Sequence, residues 1–152
     1  MDVRAKLDEL NLVLPVAALP VAAYVPAVRT GNLVFTAGQL PLVEGKIPFT
    51  GKVGGAVTPE QAKEMAQVCI LNALAAVELV APVDSILKVV RVVGYVNGVS
   101  GFIGAPGVVN GASELLIHLF GDANGKHARS AIGVAELPLD APVEIELTVE
   151  VL

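Results

Sequence analysis

The stretch His127–Leu152, HARSAIGVAELPLDAPVEIELTVEVL, carries the clearest structural pattern in the chain. Its second half alternates strictly from Val143 to Val151, with aliphatic residues at every odd position and three glutamates and a threonine between them. A period of two sustained over a segment of this length is typical of a β-strand that packs one face on a core. The pattern therefore predicts a terminal strand with an apolar face and an acidic face.

The first half of the same stretch contains an arginine among small residues. Arg129 is followed by Ser130, Ala131 and Gly133, which leave space beside its side chain. A guanidinium with space around it matches the two oxygens of a planar carboxylate. We therefore expect Arg129 to bind a carboxylate. The alternative is a structural ion pair with a carboxylate of its own or a neighbouring chain.

The two halves also impose a geometric condition on any shared site. If the two strands run antiparallel around a turn at residues 138–142, Arg129 lies far from the turn and Glu144 beside it. Some seven residues at ~3.3 Å each would separate the two by roughly 20 Å along the strands. They would then serve one pocket only if different subunits supply them. The alternative for Glu144 is an ordinary solvated face, since Glu146 and Glu150 share its side of the strand.

The composition indicates self-association. The chain has 152 residues, the size of one domain, of which 54% are hydrophobic and only 16% charged. A monomer with so few charges would expose large apolar patches. The two longest uncharged runs, 10–28 and 92–113, are interrupted by prolines and glycines and do not suit a membrane-spanning helix. We expect the excess apolar surface to be buried between copies of the chain and not in a membrane.

Charge and cysteine content restrict the partners further. The formal net charge is −5, which argues against nucleic acid because non-specific binding requires clustered Lys and Arg. The single cysteine, Cys69, has no internal disulfide partner, which fits a reducing cytoplasm. Two histidines and one cysteine, all scattered, predict no metal site.

The remaining elements follow from capping and periodicity. A capping-box pattern predicts the start of a helix that runs to about Val80. Thr58 is its N-cap, Pro59 takes the first helical position and Gln61 completes the box. The segment Ile86–Val96 is apolar on both faces and predicts a central strand covered on both sides. A second helix is predicted over Pro106–Phe120, with Gly121 past its end.

The N-terminal part is less regular. The predicted elements there are a short amphipathic helix over Asp2–Leu10, an extended lead-in to residue 20, strands over Tyr24–Arg29 and Leu33–Leu40, and a loop with at most one short strand over Val43–Gly55. The order β-β-(β)-α-β-α-β-β predicts an α/β fold in which a mixed sheet carries both long helices on one face. The other face would then pack against copies around a closed oligomer axis.

At this point the chain resembles the Rid family (YjgF-like, reactive intermediate deaminases). The matching segments are AAYVPAV around Tyr24, TGNLVFTAGQLP at 30–41, GYVNGVSGF at 94–102 and RSAIGVAELPLDAPVEIE at 129–146. The last is the most specific, and the resemblance covers about residue 20 to the C-terminus. It implies a chorismate-mutase-like fold spanning 1–152 as a single domain, with 1–20 as a lead-in. It also implies a homotrimer with three clefts between subunits.

The resemblance also implies an activity. The family hydrolyses 2-aminoacrylate-type enamines and their imine tautomers to 2-keto acids and ammonia, without a cofactor. By analogy, Arg129 would hold the substrate carboxylate, Glu144 would position or activate water, and Tyr24 would line the pocket and hydrogen-bond the substrate. The further substrate-binding positions implied are Ala37, Gly38, Phe102 and Ala131. Tyr24 alone, without the resemblance, is more typical of a half-buried strand aromatic.

The chain departs from the usual family pattern at two of these positions. Ala37 stands where a serine is usual, and Ala131 stands where a cysteine is usual. These changes remove a hydroxyl and a thiol from the implied cleft and indicate a divergent subgroup. They leave open a second hypothesis, a module that binds a small carboxylate without turning it over. A third, a ribonuclease or translation inhibitor, is disfavoured by the acidic pI of about 4.9.

Overall fold

A computed structural model of the chain describes residues 2–152. It shows a five-stranded mixed sheet and three α-helices. The elements in chain order are α1 (Val3–Glu9), β1 (Ala27–Thr30), β2 (Leu33–Thr36), α2 (Pro59–Glu78), β3 (Ile86–Asn97), α3 (Ala105–Gly125), β4 (Ala128–Val134) and β5 (Val143–Val151). Single turns of 3-10 helix precede β3 and β5, at Val83–Ser85 and Pro138–Asp140.

The strand order in the sheet is β1-β2-β5-β3-β4. β4 pairs in parallel with β3, and every other neighbouring pair is antiparallel. The prediction that the last two strands form a hairpin is therefore wrong. β3 lies between β4 and β5 and pairs with both, because its long apolar run suits an interior strand of the sheet.

Helix α2 begins as the sequence predicts. The Thr58 hydroxyl accepts from the Gln61 backbone N–H at 3.1 Å, and the Gln61 side chain accepts from the Thr58 N–H at 3.0 Å. This capping box satisfies two backbone donors that a helix start leaves unpaired. α2 then packs on one face of the sheet beside α3, so both long helices lie on the predicted common face.

Helices α2 and α3 approach each other at a glycine. A Cβ built on Gly111 of α3 would lie 2.0 Å from the Lys63 carbonyl oxygen of α2. α3 ends its first segment at Gly121, whose φ of +74° breaks the helix before a final turn to Gly125. The predicted end at Gly121 is thus a kink inside a slightly longer element.

No helix formed by residues 2–152 covers the opposite face of the sheet. The β5 residues alternate between buried and half-buried from Val143 to Val151, so the predicted acidic row lies on this open face. Large apolar side chains share the face, including Phe35, 44% exposed, and Ile132, 47% exposed. The interior strand β3 is consequently covered on one side only, whereas its sequence predicts a central strand covered on both sides.

The N-terminal region differs from the prediction in detail. Helix α1 forms as expected and is part of the core, with Val3 and Leu7 buried. The predicted strand at 24–29 is shorter, because β1 begins only at Ala27 and leaves Tyr24 in an irregular segment. β2 likewise ends at Thr36, and the 43–55 region forms only isolated bridges.

Candidate functional site

A groove of about 310 Å³ brings together three of the predicted site residues. It is lined by Tyr24, Gly38 and Glu144, with residues 18–21 along one side. Tyr24 is 58% exposed, so its phenol is accessible from solvent. The groove therefore combines a half-buried carboxylate, a phenol and a backbone segment without side chains.

The segment after β2 holds Gly38 against the carboxylate. Backbone hydrogen bonds join Gln39 and Ile145 in both directions, at 2.8 and 3.0 Å, which places Gly38 next to Glu144. A Cβ on Gly38 would lie 2.8 Å from Glu144 Cδ and 2.9 Å from its Oε2. Only glycine leaves room for the carboxylate in this position.

A side chain of helix α2 fixes the far wall of the groove. The buried Asn72 side chain donates to the carbonyl oxygens of Leu40 and Leu42, at 2.9 and 3.0 Å. Both residues line the groove. A buried amide paired in this way fixes the course of the chain after Gly38, because an unpaired donor there would be costly.

Glu144 has an altered acidity. Burial raises the pKa of the Glu144 carboxyl above its ordinary value, and the negative charge of Glu146 on the same face raises it further. Glu146 in turn accepts a hydrogen bond from the Tyr95 hydroxyl at 3.1 Å. A carboxyl with a raised pKa is suited to taking and returning a proton near neutral pH.

Arg129 lies on the other side of the sheet. Its Nη1 donates to Asn110 Oδ1 at 2.8 Å and to Ser113 Oγ at 3.2 Å, and its Nη2 donates to the Pro106 carbonyl at 3.4 Å. All three acceptors belong to α3 and none is charged. Within residues 2–152, Arg129 takes part in no ion pair. The alternative of a structural ion pair with a carboxylate of its own chain is therefore not met among these described residues.

The register places Arg129 and Glu144 on opposite faces. Arg129 pairs with Val92, which pairs with Leu147 on the helix-covered face, whereas Glu144 pairs with Tyr95 on the open face. Three residues along the strands and two strand spacings across give about 10 Å in each direction, or about 14 Å in all. The predicted 20 Å is too long because the hairpin does not form, but one chain still cannot present both side chains to one small ligand.

The other predicted site residues are dispersed. Ala37 lies beside the groove, where its N–H donates to the Pro26 carbonyl at 2.8 Å. Ala131 follows Arg129 on the helix-covered face of β4 and packs against the core. Phe102 lies in the loop before α3 and lines a separate depression of about 470 Å³ at the end of β4. The groove thus unites Tyr24, Gly38 and Glu144, whereas Arg129, Ala131 and Phe102 belong to the β4 side.

Three polar residues around Arg129 escape prediction from the sequence. Asn110 and Ser113 lie on α3, and His127 immediately precedes β4. Ser113 Oγ is 3.0 Å from His127 Nε2, and His127 Nδ1 is 2.6 Å from the Gly125 carbonyl oxygen. Burial lowers the pKa of His127, the Gly125 carbonyl opposes this, and the Arg129 charge lowers it further. The spacing of two between His127 and Arg129 is the sequence signal that could have linked them.

Comparisons with known proteins identify the family. The family model described as Endoribonuclease L-PSP matches residues 15–151. Protein TCP17 of Trypanosoma cruzi is 36% identical over 149 residues, which cover 97% of this chain and 93% of that protein. The chain belongs to the Endoribonuclease L-PSP family, that of the YjgF-like proteins.

Solved structures agree with this assignment. The protein Atu1372 from Agrobacterium tumefaciens, of unknown function, is 41% identical with a TM-score of 0.90, over 98% of this chain and 92% of that one. The YjgF protein of E. coli is 25% identical with a TM-score of 0.63, over 88% and 92% of the two chains. The difference between the scores agrees with a divergent branch of the family. None of the helices in residues 2–152 has the length and apolar character needed to cross a membrane.

Proposed function

We propose that the protein is a cofactor-free deaminase that hydrolyses 2-aminoacrylate-type enamines and imines to 2-keto acids and ammonia. The reaction would take place in clefts between the subunits of a homotrimer in the cytoplasm. The observation that supports this is the division of the polar groups within one chain. A groove holds Tyr24, Gly38 and Glu144, while the Arg129 guanidinium, which has no carboxylate partner in the described part of the chain, lies on the opposite face.

The two halves have complementary chemistry. Arg129 offers five N–H donors, of which α3 takes three, so two remain for the carboxylate of a substrate from its accessible side. The groove offers Glu144 as a base and Tyr24 as a hydrogen-bond donor. If the Arg129 side of one subunit meets the groove of the next, the cleft binds a small α-imino acid at both ends.

The reaction itself requires little from the protein. Glu144 takes a proton from a water molecule, whose oxygen forms a bond to the imine carbon. Glu144 returns that proton to the imine nitrogen, which gives the neutral carbinolamine. Glu144 then takes the proton of the carbinolamine hydroxyl as the carbonyl forms, and passes it to the nitrogen as the C–N bond breaks and ammonia leaves. Atoms and charges balance: the imine and water give the 2-keto acid and ammonia. Imines hydrolyse unaided in water, so holding the carboxylate and orienting the water supply the acceleration.

Trimer formation is supported by the open face of the sheet. Phe35, Ile132 and the neighbouring Val28 are exposed there in the single chain, and the chain is unusually apolar as a whole. Apolar patches of this kind mark surfaces that associate. Closed symmetric packing of the open faces would bury them and give β3 its second cover.

A second candidate function is a module that binds a small carboxylate without turning it over. Ala37 and Ala131 favour it, because a methyl group at each position replaces the hydroxyl or thiol usual in the family. Arg129 would bind the carboxylate in the same way. Nucleic acid is not expected as a partner despite the name of the family model, since the net charge is −5.

A coupled assay separates the two candidates. A serine dehydratase would generate 2-aminoacrylate, and pyruvate release would be followed with and without this protein. We expect acceleration by the native protein and its loss, by at least about a hundredfold, in Arg129→Ala. Arg4→Ala, which removes an exposed arginine of α1, is the matched control. No acceleration at any concentration, with 2-ketobutyrate binding that depends on Arg129, would establish the binding module instead.

Mixed trimers test the shared cleft. Arg129→Ala and Glu144→Gln should each be inactive alone. Refolding equal amounts together should restore about a quarter of native activity, because an intact cleft needs Arg129 from one parent and Glu144 from the other. Absence of any recovery, in trimers shown to be mixed, would contradict a cleft supplied by two subunits.

A further inference from the structure

The guanidinium of Arg129 is one end of a continuous chain of hydrogen bonds. Arg129 Nη1 contacts Ser113 Oγ, Ser113 Oγ contacts His127 Nε2, and His127 Nδ1 contacts the Gly125 carbonyl. Asn110 Oδ1 accepts from the same Nη1 at 2.8 Å. None of these groups takes part in the groove that contains Glu144, so their arrangement needs a separate explanation.

The direction of every bond in the chain follows by elimination. The Gly125 carbonyl only accepts, so His127 Nδ1 must carry a proton. In the neutral ring Nε2 is then an acceptor, and the Ser113 hydroxyl must donate to it. The Ser113 oxygen is left to accept from Arg129. Burial and the adjacent Arg129 charge both favour the neutral ring that this direction requires.

The backbone supports this direction. Gly121, with φ of +74°, reverses the chain after the first segment of α3. Gly125 then packs on the same helix so closely that a Cβ would lie 2.7 Å from the Leu116 carbonyl oxygen. The Gly125 carbonyl is therefore a fixed anchor, and the imidazole ring transmits its position to Ser113.

We propose that Asn110, Ser113 and His127 are positioning residues that fix the guanidinium of Arg129 for a carboxylate ligand. Asn110 and Ser113 accept both N–H groups of Nη1, and donors remain on the Nε and Nη2 side for the ligand. His127 acts through its hydrogen bond with Ser113. Asn110 is neutral, so it orients the arginine without neutralising it. This inference rests on the proposed function in one respect only, the identity of the ligand as a small carboxylate.

The matched pair Ser113→Ala and Ser113→Thr tests the proposal. The alanine variant loses the link between His127 and Arg129, and the threonine variant keeps a hydroxyl. We expect Ser113→Ala to raise the KM of the coupled reaction, or the Kd for 2-ketobutyrate, about tenfold with kcat little changed. Ser113→Thr should recover most of the loss. Equal behaviour of the two variants, both folded, would overturn the proposal.

Asn110→Asp gives a second, opposite test. A carboxylate at this position would pair with Arg129 and compete with the ligand, so we expect an affinity loss larger than that of Asn110→Ala. A merely structural role predicts the reverse order, because the new ion pair would hold the arginine at least as firmly. A smaller loss in Asn110→Asp than in Asn110→Ala would therefore contradict the proposal.

The proton assignment is tested without any ligand. The ring nitrogens of His127 in ¹⁵N-labelled native protein should show a protonated Nδ1 and an unprotonated Nε2 at neutral pH, and Ser113→Ala should move the Nε2 resonance. The Nε2–H tautomer would overturn the network even if the protein binds carboxylates. Conversely, the expected tautomer in a protein that neither turns over nor binds a carboxylate would reject the proposed function and leave the network standing.

Discussion

At the scale of single residues, the groove depends on the absence of a side chain. Gly38 touches the Glu144 carboxylate so closely that a Cβ would approach its Oε2 to 2.9 Å. The contact is with the end of a flexible side chain and not with backbone, so the carboxylate can move away at little cost. The expected consequence is a change in the position of Glu144 and not in the fold.

Gly38→Ala should accordingly reduce activity about tenfold or more, because it displaces the base, and leave the melting temperature nearly unchanged. Gly107→Ala is the control, since a Cβ there meets no atom within 4 Å. Turnover and thermal unfolding of both variants would be measured side by side. Full activity in Gly38→Ala would show that Glu144 does not act from its observed position.

The acidity of Glu144 gives a pH-dependent prediction. The charge of Glu146 raises the pKa of Glu144, so Glu146→Gln should lower that pKa while the effect of burial remains. Because the base must be ionised, the acid limb of the kcat/KM profile should move to lower pH. Glu150→Gln, on the same strand face but bonded to Asn32, should leave the profile in place. A shift to higher pH in Glu146→Gln would contradict the assignment.

The same raised pKa has an expected effect on stability. The folded protein binds a proton at Glu144 more tightly than the unfolded chain does, so this carboxyl stabilises the fold below its unfolded pKa. That contribution is lost as the pH rises through the folded pKa. Ionisation of Glu144 thus costs the fold some stability, as is common for groups at functional sites.

At the scale of the elements, the contact between α2 and α3 decides the packing of the helix layer. Gly111 lets the two helices approach until its Cα faces the Lys63 carbonyl. Helix propensity alone would favour alanine over glycine there by about 1 kcal/mol. The 2.0 Å clash with backbone reverses that preference, because a backbone carbonyl cannot move without moving its helix.

Gly111→Ala should therefore destabilise the protein by about 1–3 kcal/mol in spite of its better helix propensity. Chemical denaturation monitored by circular dichroism would measure the difference. The control is again Gly107→Ala in the same helix, which should be neutral or stabilising. Equal stability of the two variants would mean that the helices can separate freely at this point.

At the scale of the whole molecule, the proposed assembly depends on the open face of the sheet. One chain carries the two halves of the proposed site on opposite faces, so the proposal predicts that activity and association are lost together. Phe35→Asp places a charge on the open face and should convert the trimer to monomers at micromolar concentration, abolishing turnover. Leu79→Asp, at a position 51% exposed at the end of α2, is the matched control. Sedimentation equilibrium would follow both variants; a native protein that is monomeric and active would contradict the proposal.

Much of the local structure was determined by the sequence. Three local signals are confirmed: the capping box at Thr58, the period-two run of β5 and the break at Gly121. Each depends on residues only a few positions apart, so the sequence alone is enough to predict it. The family follows from segments of the same kind. The resemblance to the family also predicts three site residues, Arg129, Glu144 and Tyr24. Their roles stay predictions.

Only the tertiary structure decided how these residues are arranged. Whether β4 pairs with β5 or with β3 depends on whether β3 is inserted between them, a competition between distant segments that no local pattern records. That choice puts Arg129 against α3 and Glu144 on the open face. It also brings Asn110 and Ser113, which lie 19 and 16 residues earlier in the chain, to the guanidinium from α3, since hydrogen-bond partners are set by packing and not by spacing.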